Sequence, residues 1–354
     1  VTDEELEFLL TKDEYYTVKN ALHRLFGTNH LGALSIHQTG SSASHQFLYQ
    51  HDGKKYLVKL IRKATILNDP ERQFTCATLA AQIGISPEVY LSDPLEKIII
   101  SEYIEPKLLN NQILQKKGLT QQLAQLIREA HSIQGFPRFM EIYDVIEGLM
   151  QSLAQQRYIL PSFILHYFSY LKPIRRVLAT HAVATACHND INPRNIIFDG
   201  NRLWIIDWES GCLGDPFFDV ATAINYFIHG HTREEQFLRE YFHREIDEIE
   251  RGRLFLMKQV SFSYYALTFL NGAARAKLPP LSEEEIAPLP TFHTAQDLIA
   301  SGVMRLSTPS DLQKLAMIMI KESFAAVTSP YYHKAISLLE ARQLNRPLHQ
   351  LKSS

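Results

Sequence analysis

Cysteine is scarce in this chain. Its 354 residues include only Cys76, Cys187 and Cys212, with no CxxC pair and no metal-finger spacing. So sparse and odd a set excludes a disulfide-stapled miniature and fits a reducing cytosol. Long apolar runs are lacking too. The most apolar long stretch, Leu254 to Leu270, is interrupted by Lys258 and Gln259, which makes it too polar for a membrane span. The opening residues, Thr2-Asp3-Glu4-Glu5, have none of the hydrophobicity of a secretory signal, so a cytoplasmic location without membrane insertion is expected. No charge of one sign dominates, because 36 basic and 38 acidic side chains leave a net charge of −2. A global basic field that would recruit nucleic acid or acidic lipid is therefore excluded. What remains is 45% apolar and 21% charged, an ordinary globular composition with enough chain for two modest domains or one large one.

Periodicity divides the chain. Asp13 to Phe26 carries apolar residues at helical spacing and stops at Gly27. Short strands follow at Leu34–Ile36, Gln46–Tyr49 and Lys55–Ile61, with a hairpin signal at His51-Asp52-Gly53. Pro70 to Ile83 reads as a helix that Gly84 ends. Val89–Leu91 and Ile98–Ile100 form another strand pair. From Leu108 the pattern is almost wholly helical: Leu119–His131, Tyr143–Tyr158, Phe163–Leu178, Phe217 to about Gly272, Asp311–Ala326 and Tyr331–Leu344. One island interrupts it, a hairpin of Asn195–Phe198 and Leu203–Ile206 around Asp199-Gly200-Asn201. A proline-rich acidic segment, Leu278–Pro290, reads as a lid or a surface loop. The expectation is an α+β protein, with a small antiparallel-sheet lobe over residues 1–104 and a larger helical lobe over 105–354.

The chemistry concentrates on that island. Cys187-His188-Asn189-Asp190 leads into Asn195, and the second strand ends at Asp207-Trp208-Glu209. Asn195 and Asp207 offer hard oxygens suited to Mg²⁺, and Asp190 beside them can accept the proton of an attacking hydroxyl. Phosphoryl transfer needs this arrangement, because its loose transition state is stabilised mainly by positioning and charge neutralisation. Single loop Asp and Asn residues are ordinarily caps. The combination H-x-D-x-x-x-x-N, apolar strand, turn, apolar strand and D-x-E is far more specific.

These residues resemble the choline kinase and aminoglycoside phosphotransferase superfamily, relatives of protein kinases, over nearly the whole chain. Lys59, Ser101-Glu102-Tyr103, the Asp190 loop and Asp207 occur in the family's order, and Asp215-Pro216-Phe217-Phe218-Asp219 matches its D-P-x-x-D segment. The resemblance implies a two-lobed protein-kinase-like fold that binds ATP and Mg²⁺ and phosphorylates a small-molecule hydroxyl. Asp190 would be the catalytic base, and Asn195 and Asp207 the metal ligands. Lys59, the backbone of Gly40, Ser41 and Ser42, and the backbone at Ser101 and Tyr103 would hold ATP. His188 would brace the loop, and Asp215 and Asp219 would cap and support it. One departure stands out: where the family places a glutamate to pair with the strand lysine, this chain has Gln73, with Glu71 two positions earlier. Either Gln73 orients Lys59 through a neutral bond or the lysine is held differently.

For the acceptor, residues 201–250 carry net −7 and residues 251–354 net +5, an argument against a polycationic aminoglycoside. Phe262, Tyr264, Tyr265, Phe269, Tyr331 and Tyr332 could cage a quaternary ammonium, or could simply be core. A small amino alcohol such as choline or ethanolamine is favoured, with aminoglycosides, thiamine and a catalytically silent binding protein as alternatives.

Overall fold

The computed structural model describes residues 9–28, 34–38, 44–109, 113–114, 118–179 and 183–344. It resolves into two compact units. The first comprises the described residues of Val1–Leu109, Lys116–Arg138 and Thr185–Leu213, and the second those of Asn110–Gln115, Phe139–Ala184 and Gly214–Ser354. Neither is continuous in sequence, so a single boundary at residue 104 does not coincide with them. The Asp190 hairpin is grouped with the sheet.

In the first unit five antiparallel strands are ordered β1-β2-β3-β5-β4, with β1 Leu34–Gln38, β2 Ser44–His51, β3 Lys54–Ile61, β4 Val89–Asp93 and β5 Ile98–Glu102. Asp52 and Gly53, at φ 47° and 75°, make the tight β2–β3 turn that the Asp-Gly pair predicts. Strand alternation assigns the two faces. Tyr56, Val58 and Leu60 join Phe47, Tyr49 and Ile100 beneath helix α1, Lys12–Phe26. Thr11 and Glu14 close a capping box that starts α1, and left-handed Gly27 stops it. Burying Val18 and Leu22 of α1 contributes about 1.5–3 kcal/mol each. The opposite face carries Ile61 and Ile99 against Phe74 of helix α2, Pro70–Gln82, and Lys59 alternates onto this side. Helix α3, Leu119–Ser132, packs on two short strands, β6 Thr185–Cys187 and β8 Leu203–Ile205. Strand β8 pairs with β7, Ile196–Phe198, and β6 pairs with β9, Cys212–Gly214. Both β6 and β9 are too short to register as alternation.

The second unit is helical: α4 Ile142–Gln155, α5 Ser162–Ser169, α6 Leu171–Leu178, α7 Pro216–Phe227, α8 His231–Phe242, α9 Glu248–Arg275, α10 Glu283–Ile286, α11 Phe292–Ala300, α12 Pro309–Val327 and α13 Pro330–Leu344. The 28-residue α9 is the hub, packing on α4, α7, α12 and α13. A Cβ added at Gly252 would stand 3.5 Å from Ala335, in ordinary contact, where α9 passes α13. The apolar run Phe163–Leu178 is two helices, because Pro173 has no N–H for the carbonyl of Ser169 and the chain restarts at Leu171. Phe217–Gly272 is three helices: the chain turns extended at Ile228, Gly230 at φ 87° caps the start of the second helix, and left-handed His243 ends it. The proline-rich segment contains the short α10, started by a Ser282–Glu285 capping box. Among the described residues no helix is long and apolar enough to cross a membrane.

A buried polar cluster ties three of these helices. The Tyr167 hydroxyl lies 2.5 Å from Ser263 Oγ and donates to Ser323 Oγ at 2.8 Å, and Ser323 donates to Gln259 Oε1 at 2.8 Å. Tyr167→Phe strips a partner from both serines in a dry environment. It should lower unfolding free energy by about 1–3 kcal/mol in urea titrations, and an unchanged midpoint would show that the cluster adds nothing to stability.

Candidate active site

Asp199 organises the hairpin that carries the site. Its Oδ1 accepts from the backbone N–H groups of Asn201 (2.7 Å) and Arg202 (2.8 Å), and its Oδ2 accepts from the Trp204 indole at 2.8 Å. With Gly200 at φ 103°, this turn registers Ile196 against Ile205 and Phe198 against Leu203. Asn195 and Asp207 then flank the open end of the hairpin. The Ile206 N–H donates to the Asn195 carbonyl at 2.9 Å.

Asp190 and Asn195 form a latch. The Asn195 amide donates to both the backbone carbonyl (2.9 Å) and Oδ2 (2.7 Å) of Asp190, and Asn192 Nδ2 donates to Oδ1 at 2.7 Å. With its amide nitrogen committed to Asp190, Asn195 has an oxygen that takes part in no hydrogen bond among the described residues. That oxygen and the Asp207 carboxylate are hard donors of the kind Mg²⁺ takes, so this pair fits the expected ion.

His188 is fully buried. Its Nδ1 accepts from the Asp190 N–H at 3.2 Å while Nε2 sits 2.9 Å from the Ile206 carbonyl. A ring that accepts at one nitrogen and donates from the other is neutral with its proton on Nε2. It also lies edge-on to Trp208 at 4.6 Å between centroids. His188 is thus a brace between loop and strand, as the resemblance implied.

Lys59 reaches Asp207 across the unit, with Nζ 2.8 Å from Oδ1. Burial alone would lower the Lys59 pKa, but the charge of Asp207, together with Glu209 and the hydrogen bond, holds it above the ordinary lysine value. Burial likewise works against Asp207, yet the Lys59 charge and bond hold its carboxyl below the usual aspartate range. The nearby Asp207 charge, and then burial, raise Glu209. Asp207 itself is left-handed at φ 61°, ψ 69°.

Neither helix candidate holds the lysine. Gln73 is buried and donates to Asn68 Oδ1 (3.0 Å) and the Asp69 carbonyl (3.3 Å), at the start of its own helix, while Glu71 is exposed. The partner of Lys59 is therefore Asp207. Ser101 lies on β5, paired with Leu57 and Val89. The Tyr103 N–H donates to the Lys55 carbonyl at 3.1 Å, so the sheet already uses it. Gly40, Ser41 and Ser42 lie outside the described residues. Asp215 caps α7, accepting from the Phe217 N–H at 3.0 Å, and pairs with Arg253 at 2.7 Å. Asp219 is fully buried in the same helix.

Comparison with known proteins gives this geometry a context. A profile described as a phosphotransferase enzyme family matches residues 35–255. The protein LicA of Haemophilus influenzae is 23% identical over 205 residues, which are 55% of this chain and 59% of that protein. The chain therefore spans less than two thirds of that relative's length. A choline/ethanolamine kinase family protein from Mesorhizobium loti superposes with a TM-score of 0.65 at 20% identity, covering 92% of this chain and 99% of the other. A streptomycin–ATP complex of APH(2")-IIa superposes with a TM-score of 0.53 at 18% identity, covering 74% of this chain and 90% of that one. These structures share the kinase-like fold.

The brace can be tested by itself. His188→Ala leaves the Asp190 N–H and Ile206 carbonyl without their partner and opens a void beside Trp208. It should cost about 2–4 kcal/mol in chemical denaturation. A loss under about 0.5 kcal/mol would show that the loop holds its shape without the imidazole.

Proposed function

The chain belongs to the phosphotransferase enzyme family, and from that premise we propose that it is an ATP- and Mg²⁺-dependent kinase acting on a hydroxyl of a small amino alcohol, with choline or ethanolamine as the leading acceptors. The observation that carries this reading is the Lys59–Asp207 ion pair at 2.8 Å on the same unit as the Asp190–Asn195 latch. In this reading Lys59 binds ATP phosphate oxygens. The hinge backbone at Ser101 and Tyr103 holds the adenine edge, through groups other than the Tyr103 N–H, which the Lys55 carbonyl already takes. Asp207 and the free oxygen of Asn195 hold Mg²⁺, which when bound neutralises charge on the phosphates. Asp190 accepts the acceptor's proton. Its two carboxylate oxygens are held by Asn192 and Asn195, which fixes the direction from which a hydroxyl must approach.

The acceptor reading is supported by the rings of the helical unit, which separate into two groups. Tyr226, Tyr264 and Tyr265 form a connected set, with Tyr226–Tyr265 at 5.1 Å and Tyr264–Tyr265 at 5.0 Å. Tyr331 instead packs on Phe255 and Tyr332 on Tyr170, so that pair is removed from the candidate cage. A linked tyrosine wall suits one quaternary or primary ammonium. The solved choline/ethanolamine kinase family neighbour points the same way. The aminoglycoside reading draws on the APH(2")-IIa likeness.

Two measurements test this. Asp190→Asn should reduce phosphoryl transfer by about 10²–10⁴-fold while ATP affinity and melting temperature stay nearly unchanged; near-normal turnover would mean that the base lies elsewhere. ADP release should be stimulated more by choline or ethanolamine than by kanamycin, spectinomycin or thiamine at matched concentrations. A clear preference for an aminoglycoside would move the protein to the resistance-type acceptors. Metal-dependent ATP binding with no stimulation by any acceptor would favour a silent binder.

A further inference from the structure

The kinase reading leaves unexplained how Asp207 is held, since no helix carboxylate engages Lys59. The residue beside Gln73 supplies the answer. Arg72 lies in the first turn of α2 with its side chain buried, 4% exposed. Its Nη1 donates to the carbonyls of Glu209 (2.6 Å) and Gly211 (3.2 Å), and its Nη2 donates to the carbonyl of Leu67 at 2.7 Å. A buried guanidinium is costly unless satisfied. Here one branch of its fork, Nη1, takes both carbonyls of the short segment that follows Asp207 while the other, Nη2, takes Leu67, so the planar guanidinium fixes the two directions together.

That turn needs a clamp. A left-handed aspartate persists only where its surroundings over-determine it. On the near side, the Ile205 N–H donates to the Ile85 carbonyl at 3.0 Å, and Ser86 Oγ donates to the Ile205 carbonyl at 2.7 Å. The Trp208 indole donates to the same Ser86 hydroxyl at 2.7 Å. On the far side the Asn189 amide donates to the Ser210 carbonyl at 3.1 Å, and α2 adds a clamp through Arg72 and through the close fit of Gly211, where an added Cβ would stand 3.0 Å from Cys76 Cβ and 3.1 Å from Trp208 O. Resting on the kinase reading, we infer that Arg72 is a positioning residue. By holding the Glu209 and Gly211 carbonyls it sets the direction of the Asp207 carboxylate for the metal.

The test is an isothermal titration of ATP binding against Mg²⁺ in wild-type protein, Arg72→Lys and Arg72→Met, with hydrogen exchange read over residues 205–213. Half-saturating Mg²⁺ should rise at least tenfold in both variants, ATP affinity without metal should stay within threefold, and exchange across 207–211 should quicken at least tenfold. The failure of Arg72→Lys to rescue would separate the fork from the bare charge. If Arg72→Met does not melt cooperatively, Gly211→Ala disturbs the same segment at its contact with Cys76 of α2 and carries the same expectations. A Mg²⁺ dependence within threefold of wild type in a cooperatively melting variant overturns the proposal. So does an equal loss of ATP affinity with and without metal, the mark of general destabilisation. Wild-type protein that binds no ATP in the presence of Mg²⁺ would sink the kinase reading and this inference together, whereas normal wild-type binding with insensitive variants sinks the role of Arg72 alone.

Discussion

An ammonium on a central strand and a carboxylate 148 residues further along the chain meet at 2.8 Å, and the first unit is arranged around that meeting. The side chain of Lys59 is 13% exposed and that of Asp207 32%. Both have lost much of their hydration, and the Coulomb attraction in such a place roughly offsets the desolvation that made it possible. A pair of this kind adds little net stability, but removing one member would leave the other charge uncompensated. Its presence is better understood as two opposite charges held ready at one point. Everything nearby serves to keep them there: the hairpin turn at Asp199, the neutral imidazole of His188, and the strand pairing that sends Lys59 to the face shared with Ile61.

Around this pair the positioning groups are largely uncharged. His188 works through one accepted and one donated bond to backbone, and Asn195 through two donated bonds to Asp190. Trp208 is tethered by Ser86, not by a carboxylate. Neutral braces fix geometry without adding charge that would compete for a phosphate or a cation. Arg72 is the exception among the bonds that hold the Asp207 segment, and its guanidinium faces carbonyl oxygens there. Two non-glycine residues at positive φ, Asn189 and Asp207, sit on either side of the hairpin. The backbone bends sharply at the same two places where functional side chains must be turned toward one point.

How much of this could be read from the sequence depended on the range of the signal. The Asp52-Gly53 turn, α1 with its terminal Gly27, and the Asn195–Asp207 hairpin are local patterns, and the chain folds as they indicate. Pro173 and Gly230 divide helices whose apolar periodicity runs on without a break, so composition alone hid the joints. The short strands β6 and β9 exist because they pair with each other, and three residues carry no period of their own. The same limit applied at the site. The spacing of H-x-D-x-x-x-x-N and D-x-E marks the candidate site, but that the Tyr103 N–H is spent on Lys55 is decided by strand pairing, and whether Gln73 reaches Lys59 is decided by a side-chain rotamer. Arg72 has no signal in the sequence, because a charged residue in a first helical turn ordinarily faces solvent, and only the packed segment Glu209–Gly211 gives it a reason to be buried.

The charge argument about the acceptor changes most once side chains have partners. Residues 201–250 are acidic and residues 251–354 basic in sequence, yet within the helical unit the two sets meet. Glu234 pairs with Lys258 at 3.1 Å, Asp215 with Arg253 at 2.7 Å, and Glu248 with Lys334 at 3.1 Å, while Glu235 is bound by Arg251. Glu245 and Glu250 pair with Arg239 and Arg244, at 2.7 and 2.6 Å. A segment's net charge is therefore not a surface field here, because most of it is cancelled a few ångströms away, and what is left beyond a Debye length is small. Repulsion of a polycation by a basic tail loses its force as a reason to prefer one acceptor. Under the proposed amino-alcohol reading, selectivity rests on groups at contact distance, such as the connected rings of Tyr226, Tyr264 and Tyr265 in the helical unit. Rings discriminate by the size and hydration of a single cation and hardly respond to salt, whereas a polycation is recognised through many screened charges. An acceptor preference that persists as ionic strength rises would therefore mark recognition by the tyrosine wall, and one that fades would mark recognition by dispersed carboxylates.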